Sequence, residues 1–335
     1  MRDAITTEID SWEPNTSFAI HSRMQSVTLE VILRAVFGVT EGARADRLRE
    51  ELGKVLYMTA APALQLLGFA TRRFKRGPWA SFKSQLGEVD RELLAMIAER
   101  RADPELADRD DILSMLLVAR FEPENGASDP EEAAGMSDGE VRDQLMTLLL
   151  AGHETTATAL AWTFDLLLRN RATYERLRAE IRDGGDEYLR ATITEALRLR
   201  PVVPIAGRRL ASDLNVDGLD LPAGTDVSPA IWLTHTRPDL YPEPYAFRPE
   251  RFLESSPETY GWIPFGGGVR RCLGAAFAEF EMRVVLEEVL GRCELAPIAG
   301  RPQRVGRRNI TLSPKQGTPV RLLSKQPSSR KPALA

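Results

Sequence analysis

The stretch FGGGVRRCLG, Phe265 to Gly274, sets one of only two cysteines behind a run of glycines and a pair of arginines. A thiol acts as nucleophile or metal ligand in its thiolate form, which nearby cations and a helix N-terminus favour. Cys272 has both if a helix begins near Gly274. Glycines at 266, 267, 268 and 274 remove side chains where the backbone must turn tightly or approach a flat partner. Arg270 and Arg271 could meet an anionic ligand. Taken alone, the stretch also reads as a glycine-rich turn before a helix carrying a packed cysteine, the commoner situation for a single cysteine.

The residue inventory narrows the chemistry. The glycine run lacks the lysine and hydroxyl ending of a phosphate loop, and His153-Glu154 is followed by threonines, so no H-E-x-x-H zinc motif occurs. Structural zinc would want more ligands than Cys272, Cys293, His21, His153 and His235, which lie far apart in the chain. A nucleophilic cysteine served by a distant histidine and a haem iron held by one thiolate both stay open.

Two further constellations stand upstream. Glu195 and Arg198 are three apart on one face of an expected helix and can pair, although such pairs also decorate many solvated helices. Ala151-Gly152-His153-Glu154-Thr155-Thr156 places polar residues in the most apolar stretch of the chain. Its threonines could bond back to their own helix carbonyls as packing residues.

Together these segments resemble the cytochrome P450 family. Phe265, Gly268, Arg270, Cys272 and Gly274 fill every fixed position of its F-x-x-G-x-R-x-C-x-G signature; Glu195 and Arg198 match its E-x-x-R; Pro249-Glu250-Arg251-Phe252 matches its P-E-R-F; and AGHETT matches A-G-x-[D/E]-T-[T/S]. The resemblance implies that Cys272 is the proximal ligand of haem b (iron protoporphyrin IX), with Phe265 packed near the sulfur and Arg270 beside a propionate. It implies a structural triad of Glu195, Arg198 and Arg251. It makes Gly152 the place where a missing side chain leaves room for dioxygen, Thr155 the hydroxyl that steadies the iron-bound oxygen, and Glu154 a participant in proton delivery. Thr156 is a packing residue on this reading. Arg208 and His235 resemble positions near the propionates, and His235 could equally organise the proline-rich loop HTRPDLYP. Cys293 has no matching role.

Elements able to hold such a site are legible. Apolar residues recur at helical spacing in Met24 to Phe37, Leu48 to Met58 and Trp79 to Ile97, with Pro78 suited to a first turn. The polar interval FEPENGASDPEEAAGM reads as an exposed loop. Ser137 and Glu140 form a capping box, and the absence of proline up to Arg169 predicts one helix of about 30 residues, roughly 45 Å long. Further helices are predicted over Ala172 to Asp183, Glu187 to Arg200 and Gly274 to Leu290, and short strands after Val202, at Ile310 to Leu312 and at Pro319 to Leu322.

The expected fold is therefore mainly α with small β-sheets, a P450 fold in a single domain over residues 1–335, incomplete at the N-terminus, with 325–335 a disordered tail. The 335 residues are 43% hydrophobic, enough for a substantial core. A net charge of −4 gives no global attraction to nucleic acid. Two cysteines suggest a reducing compartment, the cytoplasm. No secretory pattern and no apolar run of membrane length occur. Met1 begins where P450 sequences are already well into their helices, so a truncated, inactive haem-binding or structural remnant is the alternative to an active monooxygenase. Family analogy lines the pocket with Leu148 to Thr156, Val203 to Ala206, the 56–90 region and the turn at Asn309 to Thr311, which suggests a lipophilic small-molecule substrate. Electrons would come from a ferredoxin- or flavodoxin-type donor with its reductase, and an acidic donor could dock at Arg271.

Overall fold

The capping box is where the longest helix starts. In the computed structural model, which describes residues 1–38, 43–60, 78–120, 135–298, 300–308 and 310–327, the Ser137 N–H donates to Glu140 Oε2 at 2.8 Å and the Glu140 N–H to Ser137 Oγ at 3.3 Å. The helix that follows runs Asp138–Arg169, about 48 Å at 1.5 Å per residue. The interval 121–134, the turn residue Asn309 and the tail from 328 lie outside the described residues, as does 61–77 of the expected pocket lining. Lys325, the first residue of the expected tail, is the last residue of a strand.

Contacts divide the chain into two compact units, Gln25–Glu154 together with Met1, and Arg2–Met24 together with Thr155–Ala335. The first holds most of α2 (Ile20–Phe37), then α3 (Ala43–Ala60), α4 (Pro78–Arg101), α5 (Ile112–Val118) and the leading half of α6 (Asp138–Arg169). Val31, Val36, Phe37, Leu48, Leu52, Val55, Leu93, Ile97, Leu113, Leu117, Val141 and Leu145 are buried in it, contributed by every one of these helices at roughly the 3.6-residue period. Arg100 is buried among them, donating to the Phe37 carbonyl at 2.9 Å and to Asp111, which also caps α5 through the Ser114 N–H at 2.9 Å.

The second unit opens with α1 (Arg2–Asp10) and β1 (Ser17–Ala19). It continues through α7 (Arg171–Asp183), which ends where Gly184 takes φ +80°, and α8 (Glu187–Leu199), stopped before Pro201. Four small antiparallel sheets follow the punctuated sequence. β2 (Arg208–Arg209) pairs with β5 (Asp226–Val227), β3 (Leu214–Val216) with β4 (Leu219–Leu221), and β7 (Val305–Arg308) with β8 (Thr311–Pro314). The three-stranded sheet has the order β1-β9-β6, with β9 (Pro319–Lys325) between β1 and β6 (Cys293–Pro297). At its end, Lys325 Nζ donates to the carbonyls of Ile9, Asp10 and Trp12 at 3.3, 2.8 and 2.8 Å, closing the C-terminus of α1. Short helices α9 (Ile231–His235) and α10 (Arg251–Glu254) precede α11 (Ala275–Arg292). Periodicity missed α1, α5, α9 and α10, which are too short for an apolar repeat to accumulate. No helix among the described residues is long and apolar enough to cross a membrane.

Helix α11 carries one costly group. Glu281 lies on its buried face with Oε1 lacking a hydrogen-bond partner, and burial pushes its carboxyl up to about 8. An unfolded chain releases that proton near its ordinary value of about 4.3. Between the two values the folded state binds more protons, so stability falls as pH rises and the contribution is gone above about 8. Glu281→Gln, which cannot ionise, should hold its melting temperature from pH 6 to pH 9 on the order of several degrees better than the parent, as read by thermal unfolding across that range.

Candidate functional site

Helix α8 is buried on nearly every side, from Tyr188 and Leu189 through Ile193 to Leu199. A carboxylate carried into such a place must be paired and hydrogen-bonded. Glu195 is, and both it and Arg198 have no exposed surface. Arg198 forms a fork on Glu195, Nε to Oε2 at 2.7 Å and Nη2 to Oε1 at 2.9 Å, while Arg251 Nε reaches Oε1 at 3.2 Å. The Arg248 N–H adds a bond to Oε1 at 2.9 Å. The remaining guanidinium protons go to backbone: Arg198 to the carbonyls of His235 at 2.7 Å, Pro244 at 2.8 Å and Ala246 at 3.2 Å, and Arg251 to Pro242 at 3.2 Å. Both cations sit by the Tyr241 ring, at 4.8 and 6.0 Å. One helix thus organises the whole proline-rich run from His235 to Arg251.

His235 carries that order onward. Its Nδ1 lies 3.0 Å from the Arg198 carbonyl oxygen, and its Nε2 accepts the Ile263 N–H at 2.8 Å. These partners fix the Nδ1–H tautomer. The ring is wholly buried, and burial, with Arg198 adding to it, pushes its pKa down to about 4. Both ring nitrogens are engaged by the backbone, so the ring ties the end of α8 to the approach of the glycine-rich loop.

From Ile263 the chain enters the glycine-rich stretch, whose approach is held at two more points, one on α8 and one on the proline-rich run. Trp262 Nε1 donates to the Thr194 carbonyl at 3.1 Å, and Tyr241 OH to the Gly261 carbonyl at 2.9 Å. Phe265 packs edge-on against Trp262, centroids 6.0 Å apart, and its carbonyl accepts the Cys272 N–H at 2.9 Å, closing the loop on itself. Gly266 and Gly268 have φ of +71° and +65°, which a side chain would strain. Cys272 is free and exposed, two residues before the Gly274 cap of α11.

The distal candidates lie on α6. Glu154 closes the first unit and accepts from Gln25 Nε2 at 2.6 Å. Thr155 opens the second and is half-buried; Thr156 is buried. A Cβ at Gly152 would stand 3.2 Å from Ile32 Cδ1. The glycine therefore permits the close approach of α2. Sequence reasoning missed Gln25 and Ile32, because only the register of two packed helices assigns them a partner.

The residues present fit an iron porphyrin. The thiol is exposed; a Cβ at Gly266, Gly267, Gly268 or Gly274 would meet nothing within 4 Å. Val269 and Leu273, beside it, are apolar yet fully or 93% exposed, surface that an apolar ring could cover. Arg270 and Arg208 are exposed and form no ion pair among the described residues; Arg208 donates to the Gly207 carbonyl at 2.8 Å. That combination suits a group with an apolar face and carboxylate edges.

Two outcomes follow from the buried network. Arg198→Met leaves Glu195 buried with Arg251 alone and should lower stability by about 3–5 kcal/mol, measured by denaturant unfolding. The unfolded His235 takes up a proton near about 6.5, which the folded ring refuses until about 4. Stability should therefore fall as pH drops through that window, and denaturation midpoints of His235→Gln between pH 7 and pH 4 should show a shallower slope than the parent's.

Comparison with known proteins identifies the family. A protein of Mycobacterium tuberculosis described as cytochrome P450 137 is 40% identical over 311 residues, covering 93% of this chain and 63% of its own length. Cytochrome P450 135B1 of Mycobacterium bovis is 40% identical over 320 residues, covering 94% and 66%. The chain thus spans just under two thirds of these relatives. The structure of retinoic acid-bound cyanobacterial CYP120A1 superposes with a TM-score of 0.78 at 25% identity, over 96% of this chain and 73% of that one. The sequence model of the cytochrome P450 family matches residues 3–319, and on that span the chain belongs to the cytochrome P450 family.

Proposed function

We propose that the chain is a haem-thiolate monooxygenase that inserts one oxygen atom of O2 into a lipophilic small molecule. The observation that carries this reading is the exposed thiol of Cys272 on a loop suspended, through His235, Trp262 and Tyr241, from the buried α8 network. Bound there, haem b supplies the iron at which dioxygen is reduced and cleaved. Cys272 Sγ holds that iron, and the closed Phe265–Cys272 turn keeps the sulfur from wandering. Arg270 and Arg208 hold the propionates. Thr155 Oγ1 offers a hydrogen bond at the oxygen-binding side and Glu154 renews its proton, two consecutive residues of one helix. The thiolate's donation is tuned by what surrounds it, here the Phe265–Trp262 ring pair.

Electrons come, on this reading, from a ferredoxin- or flavodoxin-type donor and its reductase, docked where Arg271 adds exposed positive charge beside the thiolate. The exposed apolar residues Ile205 and Ile310, both in segments that line the pocket in this reading, support a lipophilic substrate. Two free cysteines suit a reducing compartment such as the cytoplasm.

Reduced protein under carbon monoxide should show the red-shifted absorbance band of a thiolate-ligated haem. Cys272→Ala should abolish it with circular dichroism unchanged. A folded parent that takes up no haem would instead identify a P450 remnant without the cofactor, and a band surviving Cys272→Ala would exclude this ligand.

A further inference from the structure

Helix α2 presents Gln25, Thr28 and Ile32 on one face, at the helical spacing of three and four. Each engages one of three consecutive residues of α6. Ile32 fills the side-chain space of Gly152. Thr28 Oγ1 lies 3.0 Å from His153 Nδ1 and 3.1 Å from the His153 carbonyl oxygen. A hydroxyl has one proton, so with it given to the carbonyl the imidazole supplies the other bond through Nδ1–H. Gln25 Nε2 donates to Glu154 Oε2 at 2.6 Å. The first two contacts hold helix against helix. The third differs in kind, since it grips the tip of a long carboxylate side chain and limits the rotamers open to it.

That difference matters for a group that must hand over a proton. A donor works only within hydrogen-bond reach of its acceptor, and small misplacements are costly in rate. A Glu has one more methylene than an Asp through which to lose its orientation. An amide fixes one carboxylate oxygen in direction and distance.

We propose that Gln25 is a positioning residue for Glu154, holding its carboxylate in the orientation from which a proton is passed on toward the Thr155 hydroxyl. This rests on the function proposed above and deepens it by naming what aims the acid. When the haem-loaded protein turns over without organic substrate, dioxygen can leave in two ways. With two electrons and two protons it leaves as hydrogen peroxide. With four electrons and four protons, delivered fast enough to break the O–O bond, it leaves as two waters. The electrons come from a reduced ferredoxin, and the split between the products reads proton delivery.

The test uses Gln25→Leu, close in volume and without the amide. In the protein with or without haem, the infrared carboxylate band that disappears in Glu154→Gln should shift in Gln25→Leu, because a hydrogen bond to that carboxylate is gone. With a ferredoxin and its reductase as donor, the water formed per dioxygen consumed should fall roughly 3-fold or more. Thr28→Val is the control for helix packing. It removes the neighbouring contact and should leave the band and the water yield in place. An unshifted band in Gln25→Leu, an unchanged water yield, or an equal fall in Thr28→Val would overturn the proposal. Absence of the thiolate haem band in the parent would overturn the proposed function instead, and the infrared comparison would still report whether Gln25 holds Glu154.

Discussion

A carboxylate with no exposed surface, Glu195, is the constraint on which the second unit depends. Removing such a charge from water costs several kcal/mol unless every lone pair is met. Here two guanidinium groups and a backbone N–H meet them. The cost of burial is offset by what those guanidinium groups do with their other protons, since Arg198 alone collects three carbonyls from the irregular run between His235 and Ala246. Segments rich in proline cannot satisfy their carbonyls by forming helix or sheet. The buried ion pair supplies donors where the backbone cannot.

The same logic extends to the glycine-rich loop. Glycine gives that loop its turns and leaves it without side chains to pack, so its position has to come from outside. It comes from three polar contacts with the α8 region, made by Trp262, Tyr241 and His235. A protonated imidazole could not accept the Ile263 N–H, which ties the ring's neutrality to the placement of the sulfur. The order is hierarchical: charge fixes α8 and the proline-rich run, these fix His235, and His235 fixes the approach to Cys272.

How much of this could be read in the sequence follows from how local each signal is. The long helix, its capping box and the helix ends at Gly184 and Pro201 rest on neighbouring residues and were readable as such. The fold class and the family followed from motifs with fixed spacing around Cys272, Glu195 and Arg251. What stayed hidden depends on register between distant segments. Nothing near His235 says that its two nitrogens face Arg198 and Ile263. Nothing near Gly152 says that Ile32 stands against it.

The clasp at Lys325 has a consequence for synthesis. Its ammonium closes the last carbonyls of α1, and β9 is the middle strand between β1 and β6. In folding, α1 and β1 therefore wait for a strand far downstream in the chain. Until residue 325 is free of the exit tunnel, α1 and β1 have no strand to join and no cation at the helix end. The pairing spans nearly the whole of this sequence, and contacts of such separation form late, with α1 and β1 exposed in the interval to whatever chaperone is at hand.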